Sequence, residues 1–412
     1  MVRPERRTPG DLIAAALIAV VVAAAGVVIW WTSDARATIS TPASDGESRN
    51  PPSAAMVPKS LSQLWTAPSP ATWAPVLISG TVVTGDGPRM SGRNPDTGEE
   101  RWSYVRGVDL CAVSWIYRYA VGVYPDSRGC GQVSTVVAGT GLRGPARTGY
   151  ADRSVRLTSE GSAVLSVGSS RLELWRSDMV RVLSYGEIDA RVKPSARGLG
   201  QGCRLVSAAA ASTAVSVLEA CPDKNDLQLT LLRAGKEEDE PETQHVAEPG
   251  VAVDSDARVL AVTESDSGPN TAVYLPTPQP RVEVVDQTGT TIAKTLLPAA
   301  ASPDSAALPV SRPTGLVCWW TGDTVMVFDS GTLSHRYTIA SSGSVVPLGP
   351  AVRMADHLLI PVTGGVGVYD QDTGAAERVI PVSRPPGVTT VFPAVSGPTV
   401  LEQRGDTVVA LG

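Results

Sequence analysis

The sequence predicts an all-β ring of eight four-stranded blades, a β-propeller, preceded by a single transmembrane helix. Three observations predict it. An unbroken apolar run stands near the N-terminus, a turn motif recurs through the remainder, and the last copy stops one strand short while a matching strand opens the body.

The apolar run comes first. From Leu12 to Trp31 every residue is Leu, Ile, Val, Ala, Gly or Trp, and at about 1.5 Å per residue it crosses a hydrocarbon core of roughly 30 Å. Arg3, Arg6 and Arg7 precede it, offset only by Glu5 and Asp11, so the positive-inside rule puts the N-terminus in the cytoplasm. Trp30 and Trp31 suit the outer interfacial belt. A cleaved signal peptide is the alternative, because Ala35-Arg36-Ala37 has the small-x-small form cut by signal peptidase, here after Ala37. The run is longer than the usual signal-peptide core of about 7 to 15 residues, which favours a retained anchor.

The expected organisation is therefore a cytoplasmic stretch 1–11, a transmembrane helix 12–31, a flexible extracytoplasmic linker 32–60 rich in Ser, Pro, Ala and Asp, and a propeller 61–412. A body of about 350 residues exceeds one ordinary core unless the fold is repetitive. Short apolar runs broken by Asp-Gly, Ser-Gly and Thr-Gly turns, with no further amphipathic helix, make it all-β. The net charge of −6 comes without a basic stripe, so nucleic acid is not an expected partner. Arg far outweighs Lys among the basic residues, a composition typical of GC-rich genomes such as those of actinobacteria.

The repeat is clearest in NPDTGEERW, Asn94 to Trp102: a strand end, a turn and the start of the next strand. Asp96 is expected to supply the side-chain acceptor of the turn, and Gly98 its positive φ. Related pieces begin at Val137, at Val284 (with Asp286 and Gly289), at Val327 (Asp329 and Gly331) and at Val368 (Asp372 and Gly374), with weaker forms at Leu172 and Leu229. Their spacing of about 40 to 50 residues is that of a propeller blade. Turns near Asp96, Gly139, Ser177, Ala234, Thr288, Ser330 and Asp372, plus a closing one, count eight blades, or seven if the faint fourth is misread. Leu64 and Trp65 match the "RW" of the first motif, so the strand after the linker is expected to complete the last blade and leave no open edge.

This DxDTGxxxW pattern resembles the repeat of quinoprotein-like (PQQ-like) β-propellers over essentially all of 61–412. The resemblance implies two alternatives: dehydrogenases carrying pyrroloquinoline quinone and calcium, or noncatalytic relatives that bind protein partners, as in the propeller lipoprotein of the outer-membrane-assembly machine. The whole chain also resembles membrane-anchored propeller proteins of mycobacteria and related actinobacteria. The dehydrogenases carry adjacent cysteines and a regular tryptophan docking motif. Neither is legible here.

In the blade model Cys111 and Cys203 each begin an inner strand, and Cys130 and Cys221 each follow the next strand, so both pairs are expected as disulfides. Disulfides belong outside the cytoplasm, in agreement with the anchor. Cys318 is left as a buried free thiol.

No catalytic, cofactor or metal site is predicted. Asp-rich turns lack calcium-loop spacing. His245, His335 and His357 are too scattered for a zinc signature, and neither a nucleophile elbow nor a phosphate loop occurs. The run Lys236 to Glu242 reads as a solvated loop. Trp65, Trp102 and Trp175 are assigned to blade packing, while Trp115, Trp319 and Trp320 either pack in the core or line a face. The expected function is a noncatalytic platform for an extracytoplasmic protein or envelope partner, tied to the cytoplasmic membrane by its helix. The alternative is a membrane-bound quinoprotein-type enzyme or a small-ligand sensor.

Overall fold

The computed structural model describes residues 8–188, 199–238, 240–265, 267–301 and 309–412. Arg3, Arg6 and Arg7, on which the expected orientation rests, lie outside those residues. The helix runs from Pro9 to Thr32, three residues earlier and one later than its apolar run. Thr8 accounts for the early start: its hydroxyl accepts from the Asp11 N–H at 3.3 Å while the Asp11 carboxylate accepts the Thr8 N–H at 2.8 Å, and Pro9 follows. None of its residues is buried. At about 1.5 Å per residue it is long enough to cross a bilayer.

Eight antiparallel sheets follow. Blades 1 to 7 occupy 76–105, 112–148, 156–186, 204–252, 258–296, 310–339 and 352–381, each a meander running from inner to outer strand. Blade 8 takes 392–411 and borrows its outer strand, Gln63–Pro68, from the start of the body. Middle strands lie between neighbouring blades and are buried on both faces, so Val325–Asp329 and Gly365–Asp370 read as near-continuous apolar runs. Outer strands meet water, and Thr291–Leu296 is exposed at every second position. The core is correspondingly a set of clusters between adjacent blades; Tyr274 and Val282 of blade 5 pack with Trp319 and Phe328 of blade 6.

The closing strand pairs antiparallel with Thr407–Leu411, from Trp65 opposite Ala410 to Pro68 opposite Thr407. Ser62 and Gly412 exchange two backbone hydrogen bonds, of 2.8 and 2.9 Å. Leu64 has no partner in this register and bulges outward, 45% exposed, with Gly412 beneath it.

The stretch expected as a flexible linker is instead largely docked. Ile39–Thr41 adds a fifth strand to blade 1, with Ile39 opposite Val105. Ala43 and Ser48 then donate to Thr140 and Gly139 of blade 2, and Asp45 pairs with Arg101 at 2.9 Å. Further on, Pro51 lies against Gly397 of blade 8, and Val57 and Leu61 are buried against Met354 and Val368 of blade 7. Ser/Pro-rich composition denies this segment structure of its own, yet its backbone groups find partners on the ring.

Candidate functional site

Each blade places its inner-to-second and third-to-outer hairpin turns on one face of the ring, here the turn face. The blade-to-blade connectors, with the turns between second and third strands, form the opposite connector face. All seven expected motif turns fall between third and outer strands; in blades 5 and 6 the acceptors are the expected Asp286 and Asp329, but in blades 1 and 7 the acceptor lies two residues earlier than expected. In blade 1 it is Asn94, whose side-chain oxygen receives the N–H of Asp96 at 2.8 Å and of Thr97 at 3.1 Å. Its counterparts are Asp286, Asp329 and Asp370. An Asx side chain reaches N–H groups two and three residues ahead, so the acceptor sits where the strand ends, as its last residue in Asp329 and Asp370 and directly after it in Asn94 and Asp286. Backbone and hydroxyl hydrogen bonds of this kind hold the Asp329 carboxyl below its ordinary range.

Asp96 instead accepts from the Thr399 hydroxyl of blade 8 at 2.6 Å, joining the two ends of the ring. Asp372, at the equivalent position, contributes its backbone N–H to Asp370. Gly98, Gly289 and Gly374 have positive φ. Gly331 does not; in its turn Leu333 takes φ +59° while its side chain is fully buried.

The turn face also carries junctions between blades. Trp65 of blade 8 donates its indole N–H to Pro95 of blade 1 at 2.9 Å, and its ring fills the space beside Gly98. Trp102 of blade 1 does the same to Ala138 of blade 2 at 2.7 Å, beside Gly141. Tyr337 of blade 6 donates to Gln371 of blade 7, beside Gly374. Aromatic side chains therefore dock adjacent blades at these three junctions, without the regular tryptophan motif of the dehydrogenases. Deeper in the ring, Glu173 receives Arg147, Arg171 and Arg181 at 3.0, 2.6 and 3.1 Å, and fully buried Glu402 receives Arg384 and Arg404 at 2.6 and 2.7 Å. Arg147 belongs to blade 2 and Arg384 to the connector before blade 8, so both clusters clamp neighbouring blades. Glu238, in the run expected to be solvated, pairs with Arg181 of blade 3; Asp239 of that run lies outside the described residues.

The connector face is built differently. Cys111 is bonded to Cys130 and Cys203 to Cys221. The pairs are not equivalent: Cys221 directly follows its second strand, whereas Cys130 lies within the third strand, Gly129–Val137. Cys318 is free and buried, its thiol pushed up to about 12 by desolvation. Trp319 and Trp320 are core residues, Trp320 donating to Pro347 at 3.0 Å, and Trp175 donates to Glu173 at 2.9 Å. Trp115 lines the channel.

The three histidines stay apart. His245 bonds Gln228 and Thr230 on blade 4, His335 bonds Thr338 on blade 6, and His357 pairs with Glu377 on blade 7. Among the described residues, the one set of metal-ligating atoms drawn together is that of Cys203, Glu219 and Cys221. There the two sulfurs are bonded to each other, and Glu219 accepts from Tyr185 and Gln228 at 3.0 and 3.1 Å.

The central channel opens on the connector face into a cavity of about 950 Å³. Trp73, in the connector from the closing strand to blade 1, forms part of its wall and of the apolar channel beyond. The ring is held in place by an N–H bond to Leu157 at 3.0 Å and by an edge-on contact with Phe392 at 5.3 Å. Arg156 and Arg258, the first inner-strand residues of blades 3 and 5, line the cavity. Desolvation inside the ring, with the Arg258 charge nearby, lowers the pKa of Arg156; desolvation also lowers that of Arg258, against the pull of Asp256. The cavity's two carboxylates are engaged: Asp152 accepts from Ser170 at 2.6 and 2.9 Å, and Asp256 stands 3.6 Å from Arg258. A quinone centre would need carboxylates and an amide converging on calcium, and this arginine-bearing lining does not fit one.

Sequence reasoning missed the arginines. Their signal was faint: Arg156, Arg204 and Arg258 each open an inner strand ahead of an apolar residue in three consecutive blades.

No protein-family model and no curated protein sequence matches the chain. Likeness appears in three dimensions. The chain is similar to the computationally designed Ika8 protein over 84% of its own length and 98% of that chain, at 13% identity and a TM-score of 0.53. It is similar to Sqt1 of Saccharomyces cerevisiae over 86% and 99%, at 11% identity and 0.53. BamB of Moraxella catarrhalis fits more loosely, over 85% and 97% at 15% identity, with a TM-score of 0.46. Identities this low speak to the fold alone.

Proposed function

We propose that the protein is a membrane-anchored, extracytoplasmic propeller serving as a noncatalytic platform for a protein or envelope partner, with 1–11 on the cytoplasmic side and the ring outside. The observation that carries this reading is how the chain enters the ring. The helix ends at Thr32 and the added strand begins at Ile39, with a helical turn, Asp34–Ala37, between. Even fully extended, those residues would span no more than about 25 Å. Ile39 pairs with Val105 at the connector-face end of blade 1, and Ala37 lies beside Gly107 of the following connector. A ring joined this closely to a membrane helix would turn its connector face, and the cavity, toward the bilayer. The two disulfides fit an oxidising compartment. The noncatalytic reading draws on how reactive groups are used: Cys318 is buried, and Glu173 and Glu402 are spent on arginines.

Two measurements test it. The protein should resist carbonate extraction, and alkaline phosphatase fused after Gly412 should be active; release from the membrane or an inactive fusion contradicts the placement. For the platform, a photocrosslinker at exposed Ser127 on the connector face should capture one recurrent partner that a crosslinker at Tyr117 on the turn face does not. No face-dependent capture contradicts it. A small-ligand sensor is the second reading, favoured by the cavity.

A further inference from the structure

We propose that the central channel binds a single hydrocarbon chain, the acyl or alkyl chain of a lipid, in the apolar chamber lined by Trp73 and Trp115. The chamber does not depend on the platform reading. Only the source of the chain, the facing membrane, rests on the placement argued above.

The chamber holds about 340 Å³, at the small end of the range of ligand sites. It shares Trp73, Thr158 and Ala208 with the connector-face cavity, so a guest reaches it from that side. Inner strands of four different blades wall it with Val76, Val113, Leu260 and Val310. Apolar side chains around a channel leave surface that only another apolar body can take out of water. Two residues of the lining are charged, Glu160 and Arg312, of opposite sign and at the turn-face end. Each is engaged: Glu160 accepts the N–H groups of Ser162 and Ala163 at 3.2 and 2.9 Å, and Arg312 donates to the Val262 carbonyl at 3.0 Å. The wall therefore has no net charge with which to hold an ion, and it selects a neutral guest.

The aromatic residues carry the argument further. Trp73 and Trp115 are only half-buried although both line the inside of the ring. The Trp73 N–H is spent on the Leu157 carbonyl at 3.0 Å, so its ring offers the chamber apolar surface alone. Large rings open to an interior hollow forgo dispersion contacts that a guest restores, which is why apolar cavities take up apolar molecules. Geometry decides the shape of that guest. Trp73 and Phe392 meet at 89° with centroids 5.3 Å apart, so they form a corner, not the parallel walls between which a flat ring would stack. A flexible row of methylene groups follows a corner. The head of the lipid then lies in the polar connector-face cavity.

The test uses the full-length protein in phosphatidylcholine nanodiscs and two photoactivatable probes: a phosphatidylcholine with a diazirine at the end of one acyl chain, and a diazirine analogue of decanol. Mass spectrometry after illumination is expected to find adducts on the peptides carrying Trp73–Val76 and Val113–Trp115. Thr158→Trp, which fills the neck between the two cavities, should lower their yield about tenfold or more, and Ile292→Trp on the exposed outer strand of blade 5 should not change it. If Thr158→Trp does not fold, competition by unlabelled decanol in the unaltered protein decides instead, and adducts should fall with it. Labelling by the phospholipid supports the chamber with the membrane as source. Labelling by the decanol analogue alone supports the chamber with a chain taken from solution, and counts only against the bilayer-facing placement. Absence of chamber adducts from either probe overturns the proposal. So do adducts that persist unchanged in folded Thr158→Trp or under excess decanol.

Discussion

The two faces of the ring are held together by different means. On the turn face, blades are joined to one another: Trp65, Trp102 and Tyr337 reach from an outer strand into the next blade's turn, and the N-terminal segment passes from blade 1 across to blades 8 and 7. On the connector face, the covalent links lie within blades 2 and 4, and the centre is left as a polar cavity. One face is spent on closure. The other is stapled locally and keeps its middle open, which is where a ligand or partner has room.

The largest expected effect breaks a turn-face junction. Trp102 is 1% exposed and bonded across to blade 2, so Trp102→Ala should cost about 3–5 kcal/mol, from lost burial and the cavity left behind. The urea midpoint of the full-length protein in detergent measures it. Trp102→Phe should recover most of the packing while still leaving the Ala138 carbonyl without its donor, and so fall between the two. A loss for Trp102→Ala below about 1 kcal/mol would mean that the junctions follow from ring closure and do not secure it.

On the connector face the corresponding change is the double substitution Cys203→Ser with Cys221→Ser. The bridge spans a sequence separation of 18 residues, and in the chain-entropy model its removal costs about 3 kcal/mol. This loss acts within one blade. Combined with Trp102→Ala it should add, because the two sites lie in different blades and share no partner. A large coupling would show that the faces are not independent, and would remove the basis of the comparison.

The same division decides what could be read beforehand. Turn-face features are local in sequence: an acceptor, a glycine and an aromatic within nine residues, Asn94 to Trp102, leave a motif that repeats. Blade count, closure by Gln63–Pro68 and both cysteine pairs followed from it. The connector-face cavity has no such signature, because Arg156 and Arg258 are brought together only by the register of separate blades. The N-terminal segment was misjudged for a related reason. Its Pro and Ser content describes its own weak propensities and says nothing of the carbonyls of Gly139 and Thr140 waiting on blade 2.

The smallest effect probes the one motif glycine that the structure reassigns. Gly98 has φ +74°, and a Cβ there would lie 2.6 Å from the Trp65 ring, so Gly98→Ala must either twist the turn or displace the indole that closes the ring. Gly331 shares the motif but not the constraint. Its φ is not positive, and an added Cβ would meet nothing nearer than the Asp329 carboxylate at 3.4 Å, an ordinary contact. The left-handed position has passed to Leu333, kept there because its side chain is fully buried against blades 5 and 6. Gly331→Ala should therefore be neutral to slightly stabilising, within about 0.5 kcal/mol, by restricting the unfolded chain. Gly98→Ala should cost more than about 1 kcal/mol for the left-handed backbone alone. Equal losses for the two in parallel urea titrations would return the positive φ to Gly331 and undo the reassignment to Leu333.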